Sequence, residues 1–189
     1  MHNFKANYDK ILEVLKSLDL ESENFLFQIR KPRLSDLEIV ALNLTSEYMS
    51  IDSEYQLFRI LPSDIKSLIE RSVYNRRKRR LFIHMERIRK LLAEKFNGSE
   101  KYFIVDSMPL EVCKLSRSSR SKICRETDYA IPNKGYCASQ KMHYYGYKLH
   151  AVCSAEGVFQ SLDISPASVH DIHYLKDIKQ QFKNCTLLA

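Results

Sequence analysis

Asp106 closes the run Tyr102-Phe103-Ile104-Val105-Asp106 and is followed by Ser107-Met108-Pro109. A short continuous apolar run predicts a buried central strand. Its last residue would stand at the C-terminal rim of a sheet, where a carboxylate still meets water or a metal ion. Pro109 cannot donate to a ladder, so the strand is expected to end near Asp106. Burying a charge is costly unless it is paired or ligates a metal. Asp106 is therefore either an acidic residue opening a turn or a catalytic, metal-holding carboxylate. Asp171 is the second catalytic candidate. It lies in Ser168-Val169-His170-Asp171, which reads as a helix start, so a metal role competes with capping by Ser168 and with complementing the positive helix end. His170 and His173 have a spacing that brings two imidazoles together on a helix, but no second ligand pair accompanies them. Asp163 is expected on a solvated strand face.

Phosphate binding is the other chemistry these residue types support. Net charge is +7, and the charge is clustered. Arg71, Arg76, Arg77, Lys78, Arg79 and Arg80 form one group, which Arg87, Arg89 and Lys90 extend. Lys114, Arg117, Arg120, Lys122 and Arg125 form a second, with Lys134, Lys141 and Lys148 beyond it. Arginine forks match phosphate oxygens, and each neutralised phosphate releases a counterion. Tyr129, Tyr136, Tyr144 and Tyr145 lie near the second group and offer faces for stacking bases. A solvated helix face, balanced by Glu86 and Glu94, is the bland alternative for the first group. Two such groups on one basic chain favour nucleic acid. Lys148 has two readings, a contact to phosphate and an exposed side chain lying along the sheet.

These groups need elements to position them. The chain has 189 residues and is 44% hydrophobic, enough for one domain or two small ones. Phe4, Tyr8, Ile11, Leu12, Leu15 and Leu18 recur at helical spacing. Ser35-Asp36-Leu37-Glu38 is a capping-box signature. Ser53 is expected to cap a further helix, and Pro62-Ser63-Asp64 to start the next. A long helix is predicted from about Arg77 to Phe96, stopping at Asn97-Gly98. The period then changes, which divides the chain into a helical region over 1–98 and a second domain over 99–189. Residues 101–106 are predicted as a strand, 114–141 as a long loop, and Tyr144 to Cys153 and Val158 to Ser165 as a hairpin. A helix with Ile172, Leu175, Ile178 and Phe182 as its buried stripe follows, and Thr186 begins a last strand beside the first. The expected fold class is α+β (mixed), a helical bundle followed by a mixed sheet. Five scattered cysteines without a CxxC fit a reduced chain with mostly buried thiols rather than a disulfide framework or zinc site. The N-terminus lacks the apolar core of a signal peptide, and a cytoplasmic location is expected.

Several of these segments together resemble the DDE-type transposases of bacterial insertion sequences. The resemblance rests on Val105-Asp106-Ser107-Met108-Pro109, on Tyr145-Gly146-Tyr147-Lys148-Leu149-His150 and on Pro166-Ala167-Ser168-Val169-His170-Asp171. Lys31-Pro32-Arg33-Leu34-Ser35-Asp36-Leu37-Glu38 and Arg76-Arg77-Lys78-Arg79-Arg80-Leu81 carry it into the N-terminal region. It implies a ribonuclease-H-like catalytic domain after the helical region, with Asp106 as the first catalytic and metal-binding carboxylate. It further implies Mg²⁺ or Mn²⁺ held by two aspartates and a glutamate. Double-stranded DNA, as element ends and as target, would be the partner. Neither a membrane nor a small-molecule substrate is expected, and a homodimer is left open.

The sequence departs from that family's pattern in one respect. The second aspartate normally follows the fourth strand, and here Leu187-Leu188-Ala189 occupies the last positions. Only Asp106 matches a family carboxylate, so an incomplete ribonuclease-H-like sheet and a truncated, catalytically incomplete transposase are expected. A non-catalytic DNA-binding regulator of transposition is the alternative, and an unstable fragment without function a third reading.

Overall fold

The computed structural model describes residues 3–97 and 101–188. The chain separates into two compact units, Met1–Leu92 and Ala93–Ala189.

In the first unit, Ser35 opens α2 (Asp36–Tyr48) through the expected box. Its Oγ accepts from Glu38 N–H at 3.2 Å, and Glu38 Oε2 accepts from Ser35 N–H at 2.6 Å. Leu37, Ile39, Val40, Ala41 and Leu42 are all fully buried. A helix apolar on nearly every side must be surrounded, and α2 is the centre of this unit. Around it lie α1 (Phe4–Lys16), α3 (Glu54–Ile60), α4 (Ser63–Lys66), α5 (Arg71–Arg80) and α6 (Phe82–Asn97). Ser53 caps α3 by accepting from Gln56 N–H at 3.1 Å.

The single helix expected from Arg77 to Phe96 is two helices. They part at Leu81, whose side chain is buried in the core. Hydrogen bonds nevertheless run through the junction, from Leu81 N–H to Arg77 O and from Met85 N–H to Leu81 O. The apolar period survives the break, so it gives no sign of it. Gly98, the expected stop, lies outside the described residues.

The second unit is a mixed five-stranded sheet with one long helix. Its strands are β1 (Tyr102–Cys113), β2 (Asn133–Cys137), β3 (Met142–Ser154), β4 (Phe159–Pro166) and β5 (Thr186–Leu188), and α7 spans Asp171–Gln181. β1 runs antiparallel to β3 and parallel to β5. On the other edge of β3, β2 pairs along its first part and β4 along its second. The architecture is α+β, helical in its N-terminal part and sheet-based in its C-terminal part.

Three expectations for this unit are corrected. β1 does not end at Asp106 but runs to Cys113. β5 pairs only with Tyr102, Phe103 and Ile104, so beyond them one edge of β1 has no strand beside it among the described residues. A proline is tolerated on such an edge, and Pro109 sits in register with Lys148. The long loop over 114–141 contains β2 and two 3-10 turns, Leu115–Arg120 and Asp128–Ala130. Ser168 does not cap α7; His170 does, its Nδ1 accepting from Ile172 N–H at 3.3 Å.

α7 packs Tyr174 and Ile178 against Phe103 and Val152, with Leu175 and Phe182 partly buried; Ile172 is exposed. All five cysteines are free, and only Cys137 is buried. No helix among the described residues is long and apolar enough to cross a membrane.

Candidate functional site

Alternation along the strands decides which groups can meet. Side chains in register across a ladder share a face, and neighbours along a strand face opposite ways. Asp106 is in register with Ala151, and Ala151 with Leu162. Ile104 is in register with Leu188 of the parallel strand. Asp106 therefore lies on the face that carries Ile104, Met108, Leu162, Ile164 and Leu188, two positions beyond the Ile104–Leu188 pair. Each of these apolar residues is 43–56% exposed. Asp106 is itself exposed, and its Oδ1 accepts from Ser107 N–H at 2.7 Å.

The opposite face belongs to α7 and holds a different polar set. Lys148, in register with Pro109, donates from Nζ to Asp171 Oδ1 and to Val169 O, both at 3.0 Å. His150 is buried, hydrogen-bonds Ser165 Oγ at 2.8 Å through Nε2, and stacks on Tyr174 at 4.7 Å between ring centroids. Burial holds the imidazole below its ordinary pKa. The Lys148 ammonium adds to that, while Asp171 and Asp163 oppose it. Tyr174 is pushed upward by burial.

Asp106 and Asp171 are thus on opposite faces of the sheet, and the structure does not bring them together. Asp171 is the first residue of α7 and the partner of Lys148, a structural position. Lys148 is correspondingly engaged by the helix start, through two hydrogen bonds of its ammonium. His170 is spent on the cap. Among the described residues, no three His, Cys, Asp or Glu side chains are grouped so as to hold a metal ion. Two divalent cations do not fit a lone exposed aspartate, since hard cations need several oxygen ligands.

The basic residues divide in the same way. In α5, Arg76, Arg79 and Arg80 are exposed, Lys78 is half-buried, and none of them has a carboxylate partner among the described residues. Arg77 is different. Its guanidinium is buried, donating to Asp36 Oδ1 at 2.6 and 3.2 Å and to Leu34 O at 2.9 Å. Asp36 Oδ2 accepts in turn from the N–H groups of Phe25 and Leu26. With the guanidinium buried and its three hydrogen bonds directed at Asp36 and Leu34, Arg77 is set apart from the exposed cations of α5.

In the second unit, Lys114, Arg117, Arg120, Lys122 and Arg125 are all exposed. The turn at Leu115–Arg120 has three residues per turn, so Arg117 and Arg120 lie on the same side of it. With Lys122 they line an open cavity of about 480 Å³ whose other walls include Val112, Cys113 and Ile123. Three cations around a partly apolar hollow suit a phosphorylated ligand.

The role of His150 was not legible from residue type alone. The available signal was its phase: Tyr144, Gly146, His150, Val152 and Ser154 form the buried set of β3, although Tyr145, Tyr147, Leu149, Ala151 and Cys153 are the more apolar set.

Comparison with known proteins bears on the sheet-bearing unit. Residues 97–189 match the family model described as transposase DDE domain. No curated protein and no solved structure matches the chain. The match places this C-terminal segment, with Asp106 in its first strand, among transposase DDE domains.

Proposed function

We propose that this chain binds double-stranded DNA as part of insertion-sequence transposition, and that the polypeptide described here does not itself cleave DNA. The family supports transposition as the setting. The observation that carries the finer reading is the isolation of Asp106. It stands exposed on one sheet face while Asp171 is tied to Lys148 on the other. Phosphodiester cleavage in this family takes its divalent metal from a set of three carboxylates, and the described residues supply one. DNA binding asks for less, and the exposed cations of α5 and of the 114–125 segment suffice for it. This favours a non-catalytic, DNA-holding role, including that of a regulator occupying element ends. A cytoplasmic location and self-association into a dimer are consistent with that role and belong to the same proposal.

The test has two arms. Affinity for duplex DNA should fall steeply with salt, as expected when several phosphates are neutralised. Supercoiled DNA incubated with the chain and Mg²⁺ or Mn²⁺ should remain uncut. Metal-dependent nicking that disappears in Asp106→Ala would overturn the non-catalytic reading.

A further inference from the structure

Residues 27–33 form a segment whose two ends are fixed and whose middle is bare. At its start, Phe25 and Leu26 donate their N–H groups to the buried carboxylate of Asp36 at 2.9 and 2.8 Å. Phe25 also stacks on His84 at 5.0 Å. At its end, Leu34 is buried and its carbonyl accepts from Arg77 Nη1 at 2.9 Å. One ion pair, Asp36–Arg77, thus holds both ends of the segment. Between them Phe27 and Ile29 are 89% and 94% exposed. Arg30, Lys31 and Arg33 are exposed as well, with no carboxylate partner among the described residues.

Two large apolar side chains, two positions apart, stand almost entirely in water. Their setting says what they fit. They sit within a few residues of three unpaired cations, which excludes an apolar membrane interior or a basic protein surface and suits a polyanion. Arg77 belongs to α5, so the pair also ties this segment to the helix bearing exposed Arg76, Arg79 and Arg80. An anchored backbone matters because less ordering remains to be done on binding. Apolar wedges of Phe or Ile beside Arg and Lys are how proteins enter the minor groove and unstack a base step, while the cations hold the flanking phosphates.

We infer that residues 27–33 are a DNA-contacting arm, with Arg30, Lys31 and Arg33 on phosphates and Phe27 and Ile29 wedged against base steps of the minor groove. This rests on the DNA-binding reading above and adds a contact site to it, in a segment separate from the cationic groups already described.

The experiment uses the whole chain and short duplexes of arbitrary sequence, fully paired or with a central mismatch that is already partly unstacked. Arg30→Ala/Lys31→Ala/Arg33→Ala should weaken binding and reduce the slope of log affinity against log salt by about 2–3, close to one unit for each lost phosphate contact. Phe27→Ala/Ile29→Ala should leave that slope unchanged, weaken binding, and abolish a preference of the wild-type chain for the mismatched duplex. All five side chains are exposed, so these variants should fold, and their melting curves should match the wild type. An unchanged salt slope in the triple variant, or an unchanged mismatch preference in the double variant, overturns the arm while wild-type DNA binding stands. Loss of self-association in the double variant without any change in DNA binding would make the segment a protein contact and overturn it too. A wild-type chain that binds no DNA removes both the arm and the reading beneath it.

Discussion

Lys148 Nζ and Asp171 Oδ1 lie 3.0 Å apart, joining mid-strand β3 to the first residue of α7 on the sheet face that Asp106 does not share. Both residues lie in segments that resemble transposase motifs, and here they serve each other. The lysine side chain is 17% exposed and the aspartate 51%. Solvent on the aspartate side weakens the pair, so the second hydrogen bond of Lys148, to Val169 O, contributes as much as the charge. Lys148→Ala should destabilise the second unit by about 1 kcal/mol. The salt slope of DNA binding should not change. A slope reduced by about one unit would instead mark Lys148 as a phosphate contact.

Asp36 and Arg77 form a much more consequential pair. Both are buried, and the carboxylate also accepts two backbone N–H groups. Removing one member leaves the other charge without its partner inside the protein, a loss of about 3–5 kcal/mol. Arg77→Ala should therefore strip hydrogen-exchange protection from α2. Arg77→Lys should restore little of it, because an ammonium cannot reproduce the forked contacts to Asp36 and Leu34. Arg76→Ala, one position away and exposed, should change stability by less than about 0.5 kcal/mol. Equal effects at positions 76 and 77 would mean that the pair is not what holds this region.

That contrast shows what could and could not be read from the chain. The capping box at Ser35 and the cap at Ser53 are local hydrogen bonds between near neighbours, and local spacing reveals them. Parallel pairing of the last strand with the first follows from the order hairpin, helix, strand. Arg77 could not be separated from Arg76 or Arg79 in the same way, because its role is set by Asp36, 41 positions earlier. The end of β1 is hidden from the sequence for a similar reason. Whether Pro109 breaks a strand depends on whether a neighbour needs its missing N–H, and that is decided by how far β5 reaches. On the candidate site, residue type identified Asp106, while register alone separates it from Asp171. Phe27 and Ile29 are spaced as in a half-buried strand, with Phe25 before them, so sequence pattern alone does not mark them as exposed.

His150 gives the second unit a pH dependence of definite sign. Burial lowers its pKa below 6.5 in the folded protein. The unfolded chain then binds this proton more readily than the folded one, so stability rises with pH in that range. The contribution should be fully present above about pH 6.5, the unfolded value, and be lost progressively as pH falls toward the lower folded value. His150→Asn should flatten that part of the profile while lowering stability throughout, because stacking on Tyr174 and the contact with Ser165 are disturbed. Urea midpoints measured from about pH 7.5 to 5.5 test this. A wild-type profile that is flat there, or that rises toward acid, contradicts a buried neutral imidazole.

Two glycines separate crowding from backbone strain. A Cβ at Gly146 would collide with the carbonyl oxygen of Leu110 and sit 3.0 Å from the nitrogen of Val112, where the β1–β3 register shifts between Glu111 and Cys113. Both obstacles are backbone, which cannot swing aside, so Gly146→Ala should cost about 3 kcal/mol and loosen β1 beyond Leu110. Gly157, in the turn between β3 and β4, has φ +88° and open space around it. Gly157→Ala should cost only about 1 kcal/mol, the dihedral penalty. Asparagine tolerates a left-handed backbone better than alanine. Gly157→Asn should therefore recover part of the loss, whereas Gly146→Asn should be worse than Gly146→Ala. Thermal melts of the four variants read the difference directly. If asparagine rescued position 146 as well, the limit there would be the local dihedral rather than the approach of β1, and the close packing of the two long strands at Leu110–Val112 would have to be reconsidered.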